Sequence, residues 1–259
     1  MKTIKTGIIG PDKPDSRDLI HKPGKLEGYK PIDLRERFDV KVRDQQNTNA
    51  CGGYSGAVAL EFLGRRFASR VKTVKWNWKL SANEVYWLAR RNKNQDKGVF
   101  MRDLMKALKI GSVKHQLWKD SISVFLRPHS ELGIATRFRA PRYERIPFRF
   151  RPNDVIIEDF LATLSNEELP ILFSTMIYNY DSQQAVRTGF FKKPSNNDFQ
   201  VGGHAMVCVG WKLIDDKVHI IIQNSWGDEV GDKGIFYADL NMLIDENIIL
   251  DAWVPVNYT

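Results

Sequence analysis

Cys51 stands where a polar, amide-rich stretch turns apolar and helix-like, in RDQQNTNACGGYSGAVALEF. A helix N-terminus offers free backbone N–H groups and the positive end of the helix dipole, and both favour a thiolate. A thiolate attacks carbonyl carbon, and a nearby base must take and return its proton. Among five histidines, His21 lies in a polar N-terminal stretch, His115 and His129 in an irregular middle, and His219 inside a strand pattern. His204 differs: it follows Gly202 and Gly203 and opens the strand HAMVCVGW, where small neighbours let a substrate backbone approach. Asn224 ends an apolar run and precedes Ser225, Trp226 and Gly227. Its amide oxygen can accept an imidazole N–H and fix the tautomer, while Trp226 screens that bond from water. Singly, these residues read as a small buried hydrophobe, a structural histidine and a strand-ending turn. Their order along the chain is what joins them.

The elements that must carry them are legible as patterns. A helix is expected from Cys51 to about Ser69, with Val58, Phe62 and Leu63 on one face. A second helix begins after Ser81, which has capping-box spacing to Glu84. A third places Met101, Leu104, Met105 and Leu108 at helical spacing and ends at Gly111. Residues 153 to 168 read as helix, stopped by Pro170. ILFSTMIY, HAMVCVGWKLI, KVHIIIQN and GIFYADL read as strands, with Asp215 and Asp216 at a hairpin tip. Helices first and an antiparallel sheet second give an α+β chain. Residues 1 to 40 read as an extended arm. Residues 136 to 152 interleave arginines with aromatics, and the alternation Phe148–Arg149–Phe150–Arg151 suggests a strand with one basic face, open to assembly partners.

The 259 residues suffice for one large domain or two lobes. At 42% hydrophobic and 27% charged they read as globular, and no apolar run approaches the ~20 residues of a membrane span. The front of the chain lacks the apolar core of a secretory signal, and two cysteines make no disulfide framework, so a reducing, cytoplasmic setting is expected. Cys208 reads as packing. The net charge of +8 is read mainly as solubility charge, and nucleic acid is not an expected partner. No metal-ligand or phosphate-loop motif is present, so neither metal nor cofactor is expected.

With Cys51, Gly-Gly-His204 and Asn224-Ser-Trp-Gly in order, the chain resembles the papain-like cysteine peptidases, and closest in pattern are propeptide-poor bacterial and phage members. LSANEVYWLARRN, GVFMRDLMKALKIG, DSRDL and PIDLRERF carry the resemblance further. It implies a two-lobed fold with a helical lobe at about 43–130, a β-barrel-like lobe at about 135–255 and the cleft between. The arm would span 1–30 and the peptidase domain 31–259. It implies an endopeptidase acting through a thioester on protein or peptide substrates. Cys51 would be the nucleophile, His204 the base and acid, Asn224 the residue orienting the imidazole, and Trp226 the ring packed over the pair. Gln45, six residues before Cys51, would supply an oxyanion donor; its neighbour Gln46 fits the spacing less well. Gly98 and Gly203 would lie along the substrate. NTNAC replaces the family's glycine-rich approach, and Gly52 stands where secreted members often carry tryptophan. Only 50 residues precede Cys51, so restraint by a large propeptide is not expected; residues 1 to 25 are expected to pack without blocking the cleft. The alternatives are an assembly component of a phage virion or tail that keeps the fold, and an amidase on peptidoglycan or isopeptide bonds with the same triad.

Overall fold

The computed structural model describes residues 4–72, 76–123, 130–148 and 150–256. In chain order the elements are β1 (Ile32–Asp33), α1 (Leu34–Phe38), α2 (Cys51–Val71), α3 (Ala82–Ala89), α4 (Met101–Ile110), β2 (Tyr143–Ile146) and α5 (Asn153–Ser165). Then follow β3 (Ile171–Tyr178), α6 (Asn179–Thr188), β4 (Phe190–Phe191), β5 (Gln200–Ile214), β6 (Lys217–Gln223), β7 (Ile235–Asp239), α7 (Leu240–Asp245) and β8 (Ile249–Pro255). The fold is α+β, and its helical part and its sheet meet along α2.

α2 is the central strut. Every residue from Cys51 to Gly64 is buried, as expected of a helix enclosed on all sides rather than lying on a surface. It packs against α3, α4 and β5. Within this shell Arg43 pairs with Glu61 of α2, and Glu61 also accepts the Leu80 N–H at 2.6 Å. Ser81 caps α3 by accepting the Glu84 N–H at 3.1 Å. The Glu84 carboxylate does not return to complete the box; it takes the Val113 N–H and Arg137 instead.

The sheet runs β2-β8-β3-β5-β6-β7-β4, with β1 added to β5. All pairings are antiparallel except β4 with β7, and the sheet stays open, a barrel-like curve without closure. β5 and β6 form the expected hairpin, with Asp215 (φ 49°) and Asp216 (φ 58°) both left-handed at its tip, as a two-residue primed turn requires.

The strand expected through residues 148–151 is absent at its described positions. β2 stops at Ile146, Pro147 follows, and Phe150 has φ 60° and projects fully into solvent; Arg149 lies outside the described residues, as does His129. Proline removes a ladder donor, and a left-handed Phe150 breaks the pleat. The segment is also not a free basic face. Arg137, Arg142, Arg145 and Arg151 pair with Glu84, Glu144, Asp251 and Asp159 of the same chain. No helix among the described residues is long and apolar enough to cross a membrane.

Candidate active site

Cys51 is the first residue of α2, so its sulfur lies among the unpaired N–H groups of that turn. β5 runs beside it: the Ala205 N–H donates to Cys51 Sγ at 3.4 Å. His204 precedes Ala205 on the same strand. Its Nε2 lies 2.8 Å from Asn224 Oδ1, just past the end of β6. Asn224 Oδ1 also accepts the Ser225 N–H at 2.7 Å, so the amide is held oxygen-first toward the ring. An amide oxygen only accepts, so Nε2 carries the proton and Nδ1 is left as the acceptor. That Nδ1 is buried without a hydrogen-bond partner. Trp226 stacks on the imidazole, ring centroids 4.7 Å apart and planes at 28°.

Gln45 is buried and held from both ends. Its N–H donates to Ser225 O at 2.8 Å, its Oε1 accepts from Ser225 Oγ at 2.6 Å, and its Nε2 donates to Thr48 O at 2.8 Å. The structure therefore brings Cys51, His204, Asn224, Trp226 and Gln45 together from segments spread over 180 residues. Ser225, which fixes Gln45, carried no signal beyond its place beside Asn224.

The N-terminal arm runs through this site, overturning the expectation that it leaves the cleft open. Gly7 and Ile8 donate N–H bonds to Gly203 O at 2.9 and 2.8 Å. Val99 N–H donates to Gly7 O at 2.8 Å, and Ile9 N–H donates to Val99 O at 3.0 Å. Lys5 O faces the Trp226 indole N–H at 3.3 Å and Gln45 Nε2 at 3.5 Å. Main-chain donors and acceptors in a cleft need partners, and an extended arm of the same chain supplies them. Gly7 passes so close that a Cβ there would stand 1.9 Å from Asn49 O and 3.1 Å from Cys51 Sγ. Gly98, expected along the substrate, has φ +86°, and a Cβ on it would meet Gly7 O at 2.1 Å. Its own N–H donates to the Tyr86 hydroxyl; the pairing with the arm is made by Val99, which sequence reasoning missed.

Beyond the cleft the arm is pinned by charge. The Asp12 N–H donates to Asp251 at 2.7 Å, and the Asp12 carboxylate accepts the Arg102 N–H at 2.7 Å. Arg102 and Arg145 both grip Asp18. Farther along, His21 is buried between Glu144 and Thr163, each at 2.8 Å.

Covering the site changes its electrostatics. Complete burial pushes the Cys51 thiol up to about 12, opposed only in part by N–H bonds from Ala205 and Gly52. The same burial pushes His204 down to about 4, against the Asn224 bond. Under the arm the pair is a neutral thiol and a neutral imidazole, because desolvation penalises both charged forms. Cys208 is buried in β5 and takes no part. Among the described residues no group of His, Cys, Asp and Glu is arranged to hold a metal.

Residues 152–247 match the family model described as papain family cysteine protease, a span holding His204 and Asn224 but not Cys51. An uncharacterised peptidase C1-like protein of Acanthamoeba polyphaga mimivirus is 28% identical over 183 residues, 66% of this chain and 56% of its own. Chymopapain from Carica papaya is 32% identical over 92 residues, 36% of this chain and 23% of its own. The match thus spans about half or less of these curated relatives. Xylellain, a cysteine protease from Xylella fastidiosa, superposes with a TM-score of 0.76 at 24% identity, covering 98% of this chain and 97% of its own. Procathepsin L2 of the Tenebrio molitor larval midgut gives 0.71 at 16% identity, covering 98% and 78%. At such identities the likeness to solved structures is one of fold.

Proposed function

We propose that the chain is a papain-like cysteine peptidase, an endopeptidase working through Cys51, His204 and Asn224, with its own arm holding the cleft shut. The observation that carries this reading is the His204 Nε2 to Asn224 Oδ1 bond of 2.8 Å, on a strand whose next N–H reaches Cys51 Sγ. That bond leaves Nδ1 as the one ring nitrogen able to take a proton from the thiol.

When the arm leaves, water and substrate replace it and the desolvation that favours two neutral groups falls away. Cys51 then passes its proton to His204 Nδ1, and the thiolate, stabilised by the α2 N-terminus, attacks the peptide carbonyl. The oxyanion is held by the Cys51 N–H and Gln45 Nε2, where losing one donor costs ~10²–10³ in rate. The imidazolium protonates the leaving amine, and water, activated by the same ring, hydrolyses the thioester. Asn224 keeps the ring in one tautomer throughout, and Trp226 shields that bond. Val99 and Gly203 hold an extended peptide in place of the arm, and Gly98, lacking a side chain, lets it approach. The substrate is a protein or peptide; no observation favours a separate assembly role.

The test is covalent labelling by an epoxide directed at active-site thiols, with peptide hydrolysis measured on the same samples. The wild-type chain is expected to label at Cys51 and to hydrolyse peptide, and Cys51→Ala to do neither while remaining folded. A folded wild-type chain that neither labels nor hydrolyses, under conditions that displace the arm, would sink the reading.

A further inference from the structure

Asp96 lies in the loop between α3 and α4, three residues before Val99, and had no place in the sequence reading. Its carboxylate has two partners, one on α3 and one in the loop before α2. The Tyr86 hydroxyl, buried on α3, donates to Asp96 Oδ1 at 2.5 Å. The Asn49 N–H donates to Oδ2 at 3.0 Å. Asn49 closes the loop from its other side, its Nδ2 donating to Asp96 O at 2.6 Å. The Tyr86 oxygen then accepts the Gly98 N–H at 3.0 Å. Asn49 stands two residues before Cys51, and Gly98 immediately precedes Val99. The two loops are far apart in sequence, and this short chain of bonds fixes one against the other.

We propose that Asp96 is a positioning residue that sets the spacing between the nucleophile loop at Asn49–Cys51 and the peptide-pairing residue Val99. The inference rests on the peptidase reading. A nucleophile and the main chain of its substrate must meet at a fixed distance, and misplacement by about 1 Å can cost ~10²-fold in rate. Val99 sets where the peptide lies, and Cys51 sets where the attack comes from. A carboxylate accepting from both sides gives stronger bonds than neutral groups would. The carboxylate is also near enough to Cys51 to add to the forces opposing its ionisation, though burial is the larger. Asp96 therefore serves geometry and does not activate the thiol.

The experiment uses the full chain with two conservative variants, Asp96→Asn and Tyr86→Phe. Asn at 96 keeps an acceptor oxygen on one side only and turns an NH2 toward the other partner, and Phe at 86 keeps the packing while losing both hydroxyl bonds. Each is expected to lower kcat/KM by about ten- to a hundredfold, with kcat falling through Cys51 and KM rising through Val99. Amide hydrogen exchange is expected to quicken at Asn49 and Gly98 and to stay unchanged in β5. A rise in kcat/KM would show that Asp96 secures only the covering arm, and kcat/KM within twofold of wild type would show that it secures nothing catalytic; either overturns the inference. If the wild-type chain proves inactive and unlabelled, the peptidase reading has failed on its own. Amide exchange then decides the tether: faster exchange at both positions in both variants upholds the coupling of the loops, and unchanged exchange overturns it.

Discussion

Complete burial keeps Cys51 and His204 neutral, and Gly7 is the arm residue that passes against the thiol. No side chain fits there, since a Cβ would stand 1.9 Å from Asn49 O. Gly7→Val is therefore expected to lift the arm out of the cleft and to speed alkylation of Cys51 by iodoacetamide at neutral pH. At ~1 kcal/mol net per backbone hydrogen bond, loss of two arm bonds gives about a thirtyfold rise. An unchanged alkylation rate would mean that the arm does not limit access. At this scale Cys51, His204, Asn224 and Gln45, which the fold brings together, were legible as a group, because few residue types can act as nucleophile, base or orienting amide. Val99 was not, because it works through its main chain, and any residue can offer an N–H and a C=O. Asp96 was hidden for another reason: its partners Asn49 and Tyr86 are distant in sequence, and a single carboxylate in a polar loop resembles any solvated charge.

Among the elements, α2–α5 and β3, β5, β6 and β7 lie close to where periodicity put them, because each buries one face or both against the same core. The basic strand through 148–151 failed because local alternation competes with Pro147, Pro152 and a left-handed Phe150. Its arginines were legible as charges but not as ion pairs, since Glu84, Asp159 and Asp251 come from other elements. β8 carries one such partner with a consequence for pH. Burial raises Asp251 from an ordinary 3.8 to about 6, opposed by the Asp12 N–H and by Arg145. The folded chain thus holds this proton more tightly than the unfolded chain does. The group's contribution to stability is greatest below about pH 3.8 and is lost as pH rises to about 6. Urea unfolding of wild type and Asp251→Asn across pH 4–7 checks this. The stability difference, wild type minus variant, is expected to shrink as pH rises to 6 and then level off. A difference that does not vary with pH would contradict it.

Across the whole molecule the arm joins both halves of the site, touching Val99 on the helical side and Gly203 on the sheet. Its composition suggested an irregular covering strip, and that much was legible. Its route was not, because hydrogen bonding through Gly7, Ile8 and Ile9 leaves no motif, and because only the folded cleft defines what they pair with. Under the proposed function the arm, being part of the same chain, competes with substrate at a local concentration fixed by its tether, on the order of millimolar for short flexible connections. That concentration does not fall when the protein is diluted. The fraction of open sites is therefore expected to be the same at nanomolar and at micromolar protein, as read by the rate constant for Cys51 alkylation. A rate constant that rose on dilution would show that the cover is donated by another copy. Under the proposed function the arm is thus a built-in affinity threshold: a peptide that binds the cleft weakly is refused at any ordinary concentration, and one that binds tightly opens the site by its own arrival.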